Sequence, residues 1–500
     1  MMACTTILVG KKASYDGSTM VARNEDSSSG QYNAKKLIAV ASEGHPNVYH
    51  SVLAHLDIDL PENPLSYSLT PDAVAGQGVW GACGINSANV AMTATETITS
   101  NARVLAADPL VIYQESKGDK GSADYQEEMA GGISEEDMVS LVLPYIHSAR
   151  EGVERLASLL EEYGTSEMNG IAFQDVNEIW WLETIGGHHW IAKRVPDDSY
   201  VVMPNQFGID AFDLEDAFGS QKEHMCSKDL REFIEENHLN LSMNDQFDPR
   251  LAFGSRTDAD QVYNTPRAWV MGRFFNPNTY KWEGAEADYT PQSFDIPWSF
   301  VPEHKITVQE IKEVLSNHYQ GTPYDPYAAR GDSKMRGAYR TIGINRNNFI
   351  GLTQIRPYMP ESHRSLQWMA FGSNVFNAMI PLYTQVSQFP AYLSQTNAEV
   401  TTDSLYWSAR MIAALADAHY YQTQAIIESY QAKMDHQALA IIKNFDQQLI
   451  SADDKQKNEI RERANQEIVD QMIKETQSTL KQVLHIASNG MKNAYARSDN

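Results

Sequence analysis

A chain of 500 residues, 42% apolar and 10% aromatic, is long enough for a large folded core and does not have the composition of a disordered protein. Its net charge of −25 argues against a nucleic-acid partner, because binding phosphates needs a basic face. Three cysteines, an odd and sparse count, suit a reducing compartment and argue against a disulfide framework.

The chain begins MMACTTILVG, with Cys4 running directly into a β-branched, apolar stretch. Thr5–Gly10 predicts a strand, Asp16-Gly17 marks a turn, and the alternation in Thr19–Asn24 predicts a returning strand. Such a hairpin brings Arg23–Asp26 back to the level of Cys4. A second β-rich stretch covers Gly81–Thr97. Glu135–Tyr163 has helical spacing, with Ile146, Val153, Leu156, Leu159 and Leu160 on one face. Short strands follow at Gly170–Phe173, Ile179–Glu183, Trp190–Arg194 and Tyr200–Met203. Strands, helix, then strands predict an α+β or layered-sheet architecture rather than βαβ repeats. Asp403–Ile450 carries helical spacing without Pro or Gly; a turn at Ser451–Asp454 and a second helix to about Ser488 make a long C-terminal helical hairpin.

Cys4 carries the chemistry. If Met1-Met2-Ala3 is removed, one residue presents both a thiol and a free α-amine. An amine with a pKa of roughly 7.7–8.0 can accept the thiol proton near neutral pH. The thiolate can then attack a carbonyl and form a thioester. Against this stands the bland reading, an inert buried cysteine in a terminal strand. Three segments weigh against the bland reading. Arg23 and Asp26 can flank the nucleophile, the cation lowering the thiol pKa and the carboxylate holding the α-ammonium. Asn205, after the strand that ends at Met203, can donate to an oxyanion. Arg267, in Tyr263-Asn264-Thr265-Pro266-Arg267, can stabilise charge. Each segment alone is an ordinary strand end, turn or helix start.

With these residues in view, the sequence resembles the dipeptidase A family of N-terminal-nucleophile cysteine peptidases, related to bile-salt hydrolases and penicillin V acylases. The resemblance covers about Cys4 to Leu393 and rests on CTTILVGKKASYDGSTMVARNED, GINSANVAMTATET, HYQGTPYDPY, GINRNNFIGLTQIRP and LQWMAFGSNVFNAMIPLY. It implies a four-layer αββα fold with a propeptide at 1–3, a hydrolase domain at 4–395 and a C-terminal helical region at 396–500. It implies Cys4 as the nucleophile, with Arg23, Asp26, Asn205 and Arg267 around it. Where the acylases carry a second Asn near the site, this chain has Thr95-Glu96. That departure puts the second oxyanion donor in doubt and makes Thr95 and Glu96 candidates for binding the free amine of a peptide.

The expectation is therefore a cytoplasmic, self-processing cysteine dipeptidase that needs no cofactor and no metal. Asp26 or Glu96 would meet the substrate ammonium and Arg267 its carboxylate. Dipeptides are the expected partners, a homo-oligomer is allowed, and no membrane partner is expected, since no apolar run of bilayer length occurs. Two alternatives stay open: an amidase or acylase of N-acyl amino acids, and an inactive interaction protein of the same fold. His188-His189 is read as structural, because adjacent strand residues face opposite ways. Trp180-Trp181 is read as one ring in the core and one elsewhere. Cys83 and Cys226 are read as buried thiols, and Arg330-Gly-Asp332 as chance.

Overall fold

The apolar run after Cys4 has only one way to bury both of its faces, which is to lie inside a sheet with material on either side. In the computed structural model, which describes residues 4–28, 31–94, 96–243 and 246–492, it does so. Thr5–Val9 forms a strand with every residue buried. Gly17, at φ +83°, takes the left-handed turn conformation that the Asp-Gly pair favours. The chain returns as Thr19–Asp26, pairing Thr5 with Asn24 and Thr6 with Arg23.

These two strands sit at the centre of a seven-stranded sheet. Its order is Ser299–Phe300, Tyr200–Met203, Thr5–Val9, Thr19–Asp26, Asn347–Ile355, Ser365–Phe371 and Ile380–Tyr383. Each neighbouring pair is antiparallel. A second antiparallel sheet runs His224–Cys226, Trp190–Arg194, Ile179–Thr184, Asn169–Gln174, Ala91–Thr93 and Cys83–Ile85. The short strand Glu96–Thr97 also pairs with Asn169–Gln174. The protein is thus a mixed helix-and-sheet chain built on antiparallel sheets.

Alternation along the strands sorts the core. Leu8, Val21, Val201 and Met203 pack with Ala172, Trp181 and Ile191 of the second sheet. Ile7, Val9, Met20 and Ala22 face the other way, into a cluster with Trp269, Phe275, Ile311 and Leu315 from helices. On the second sheet, Ile171, Phe173, Trp180 and Leu182 pack against Val153, Leu156 and Leu160 of the helix Ala149–Tyr163. Both tryptophans are therefore buried, in two different clusters.

Two helices are shorter than their spacing predicts. The helix expected from Glu135 divides into Met138–Val142, a 3₁₀ turn at Leu143–Tyr145, and Ala149–Tyr163. Pro144 has no N–H to continue an α-helix, and Ile146 is extended. Ser148 then caps the next helix by accepting from the Glu151 N–H. The expected helix Asp403–Ile450 is two, Leu405–Asp417 and Tyr420–Ser451. At the break the Tyr420 ring stacks on Tyr327, with centroids 4.1 Å apart. No proline or glycine announces it. The last helix, Asp454–Asn489, ends at Gly490. No helix of the described residues is long and apolar enough to cross a membrane.

Candidate active site

Cys4 lies one residue before the first strand and is completely buried. On a strand, Cys4 and Thr6 share a face and Thr5 takes the other. The register puts Arg23 opposite Thr6, and the Arg23 side chain runs back to the thiol. Arg23 Nη2 donates to Cys4 Sγ at 3.0 Å and to Glu135 Oε1 at 2.6 Å. Arg23 Nη1 lies 3.7 Å from Glu25 Oε2 and donates to the Ala82 carbonyl at 3.4 Å. Behind Glu25, the buried Lys35 ammonium bridges Glu25 at 3.0 Å and Asp72 at 2.7 Å.

Burial pushes the Cys4 thiol well above its ordinary range. Arg23 pulls it down, and Glu96, Glu135 and Glu25 push it further up. The single cation beside the sulfur therefore does not offset burial in the chain that still carries residues before Cys4.

Asp26 does not flank the thiol as the spacing suggests. The returning strand continues through Asp26, so Arg23 and Asp26, three apart, face opposite sides. The Asp26 carboxylate accepts from Arg340 Nη2 and Asn347 Nδ2. It lies two residues beyond Asn24, the partner of Thr5 in the last paired rung before Cys4.

Arg267 stands in the first turn of the helix Thr265–Phe275, on the Thr5 side of the sheet. A guanidinium has five N–H donors, and here all five meet protein oxygens. Nε donates to Tyr263 O at 2.7 Å. Nη1 donates to the Cys4 carbonyl, and to Thr5 Oγ1 at 2.7 Å. Nη2 donates to Asn205 Oδ1 at 2.6 Å and Asn264 Oδ1 at 2.8 Å. None remains for a substrate carboxylate, so that expectation is corrected: Arg267 clamps the Cys4 main chain and orients Asn205. Asn205, thus held, donates from Nδ2 to Thr97 O at 2.9 Å. That bond takes one of the two amide N–H groups.

Glu96 reaches the thiol's side from the second sheet. Its Oε2 accepts from Thr6 Oγ1 at 2.9 Å, and burial pushes its carboxyl up to about 8 against the pull of Arg267 and Arg23. Thr95 and the expected propeptide, Met1–Ala3, lie outside the described residues.

Sequence reasoning missed Glu135, Glu25, Lys35, Asn264 and Arg340. Glu25 was within reach: it lies two residues from Arg23 on the same strand face. Glu135 had no such signal, since Ser134-Glu135-Glu136-Asp137 resembles any acidic helix entry.

His188 and His189 also depart from expectation. They precede the strand rather than lie on it, so both rings turn to one carboxylate, with Nδ1 atoms 3.1 and 2.8 Å from Asp108. Among the described residues no group of three or more His, Cys, Asp or Glu side chains is placed to hold a metal ion. Cys83 and Cys226 are free and buried.

The sequence profile of Peptidase family C69 matches residues 3–433. A protein named dipeptidase from Bifidobacterium longum is 51% identical, with all of both chains covered. A probable dipeptidase A from Streptococcus pyogenes is 48% identical, again over all of both chains. Dipeptidase A from Lactobacillus helveticus is 40% identical over 96% of each chain.

Proposed function

Because the chain belongs to Peptidase family C69, and its members are peptide-bond hydrolases, we propose that it is a cysteine dipeptidase whose nucleophile is Cys4, freed as an N-terminal residue. The observation that carries this reading is the Arg23 Nη2 bond to Cys4 Sγ, 3.0 Å long. A fully buried guanidinium is spent on a thiol at the head of a strand, where an inert cysteine needs no cation. The names of full-length relatives supply the substrate class.

Loss of Met1-Met2-Ala3 turns the Cys4 amide into an α-amine. Asp26, fixed by Arg340 and Asn347, holds it. The amine takes the thiol proton, and Arg23 stabilises the thiolate. Sulfur attacks the first residue's carbonyl carbon, and the oxyanion is met by the second Asn205 N–H and a backbone N–H. The C–N bond breaks as the leaving amine takes the proton from the Cys4 ammonium. Water, deprotonated by the same amine, then cleaves the thioester and restores the thiol.

The layering supports the same reading. Helix Ala149–Tyr163, the two sheets and the Trp269-bearing helix are joined by three apolar clusters in that order. We read this order as the αββα arrangement of N-terminal-nucleophile hydrolases, acting in the cytoplasm.

The test is Cys4→Ala against Cys83→Ala and Cys226→Ala. The first should abolish dipeptide turnover in a folded protein, and the other two should remain active. Cys4→Ser should keep a trace at most, an alcohol being a far poorer nucleophile at neutral pH. Exclusive labelling of Cys83 or Cys226 by an inactivating thiol reagent would place the nucleophile elsewhere.

A further inference from the structure

With every carboxyl ionised, the charges around Cys4 do not balance. The buried cations connected to the site are Arg23, Lys35, Arg267 and Arg340. The buried carboxylates are Glu25, Asp26, Asp72, Glu96 and Glu135, one more. Arg340 meets Asp26, Lys35 meets Glu25 and Asp72, and Arg23 meets Glu135. Arg267 is spent on uncharged oxygens. Glu96 has no ion-pair partner among the described residues. Glu167, partly buried, adds another carboxylate beside Glu135, whose backbone N–H it accepts at 2.7 Å.

An orphaned atom marks where a cation is missing. Glu96 Oε1 is buried with no hydrogen-bond partner, although Oε2 of the same carboxyl is satisfied by Thr6. Glu96 pairs with Gly170, whose lack of a side chain leaves the Glu96 carboxyl the only side chain on that rung, aimed at the first sheet. Unsatisfied buried polar atoms are uncommon, and one on a carboxyl beside further carboxylates needs a ligand to explain it.

We infer that Glu96, with the Glu135 carboxylate behind it, forms the subsite for the free α-ammonium of the substrate. Glu96 Oε1 is an open acceptor, as a donor-only ammonium requires. Glu135 adds negative charge while keeping Arg23 on the sulfur. The subsite explains how an enzyme with one nucleophile restricts itself to peptides with an unblocked amino end: an acylated nitrogen brings one N–H and no charge, leaving Glu96 buried and unpaired. This inference rests on the dipeptidase reading and sharpens it.

The experiment compares unblocked dipeptides with their Nα-acetyl counterparts in the mature wild-type enzyme and in Glu96→Gln. In the wild type, acetylation should lower kcat/KM by at least about 10²-fold. In Glu96→Gln, KM for unblocked dipeptides should rise at least about 10-fold with a smaller change in kcat, and discrimination against the acetyl forms should shrink. Cys4 alkylation by iodoacetamide should be no slower than in the wild type, since Glu96 pushes the thiol pKa up, and this separates loss of the subsite from loss of the nucleophile. Wild-type enzyme that cleaves acetylated and free dipeptides equally well overturns the inference, and needs no variant to be folded. Undiminished discrimination in Glu96→Gln overturns it too. Activity in Cys4→Ala would instead overturn the underlying cysteine-dipeptidase reading.

Discussion

At the scale of single residues, the site is a contest between burial and a few charges. Arg23 is the only side chain within hydrogen-bond reach of Cys4 Sγ among the described residues. Its guanidinium lowers the thiol pKa while burial and three carboxylates raise it. Arg23→Ala should therefore move the acidic limb of Cys4 alkylation to higher pH, measured as iodoacetamide rate against pH. An unchanged profile would remove Arg23 from the site. Glu96 gives a second pH signature. Its carboxyl is pushed by burial from 4.5 up to about 8, so the folded state holds a proton that the unfolded chain releases above about 4.5. Wild-type stability attributable to Glu96 is thus present at low pH and lost as pH rises from about 4.5 to about 8. Glu96→Gln cannot titrate, so its melting temperature relative to wild type should rise across that window. A constant difference would show that Glu96 is ionised throughout. Strand parity explains what the sequence did and did not disclose here. Cys4, Arg23 and Asn205 were legible as chemistry-bearing residues beside recognisable strands. A strand ending at Asn24 would leave Asp26 free to turn to the side of Arg23; the strand runs on through Asp26, and that fixes it on the opposite face.

At the scale of elements, the helix Thr265–Phe275 is a clamp on the first strand. The Tyr263 ring before it lies between Arg267, at 5.5 Å, and Arg340, at 5.3 Å. It thereby links the arginine on the Cys4 carbonyl to the arginine on Asp26. Arg267→Ala would leave Asn205, Asn264 and the Cys4 carbonyl without their charged donor in a buried setting, at a cost on the order of 3 kcal/mol or more. Arg267→Lys should rescue little, because three donors on a point charge cannot reproduce a five-donor fork. Denaturant unfolding of both variants checks this; a lysine variant as stable as wild type would deny the clamp. The four strands between 169 and 203 were legible because alternation and the Asp175 and Gly186 turns bracket them. The break at Ala418–His419 was not, since it depends on Tyr420 stacking on a residue more than ninety positions away.

At the scale of the whole molecule, the C-terminal helices are part of the main core. Tyr430, Met434, Phe445, Ile468 and Met472 belong to the same apolar cluster as Ile7 and Ala22. Arg356 grips Asp446 with two bonds of 2.6 and 3.0 Å, and Tyr383 OH donates to the same carboxylate at 2.8 Å. Asn465 brackets the Tyr383 backbone, accepting from its N–H and donating to its carbonyl, both at 2.9 Å. The long C-terminal helices thus cover the main core. Asp446→Ala should cost about 3–5 kcal/mol, since it strands a buried guanidinium. Faster hydrogen exchange confined to 420–489 would show the helices loosening from the sheet, and unchanged exchange would deny the tie. How the two sheets face each other was invisible in the sequence. It is set by contacts such as Gln174 Nε2 to Thr19 O, 2.7 Å, between residues 155 apart.

The account as a whole turns on Cys4 being both nucleophile and chain terminus. Intact-mass analysis of the purified, active enzyme tests this most directly. The account predicts a chain that begins at Cys4, lighter than the full sequence by Met1-Met2-Ala3. A fully active enzyme with Ala3 still joined to Cys4 would contradict it.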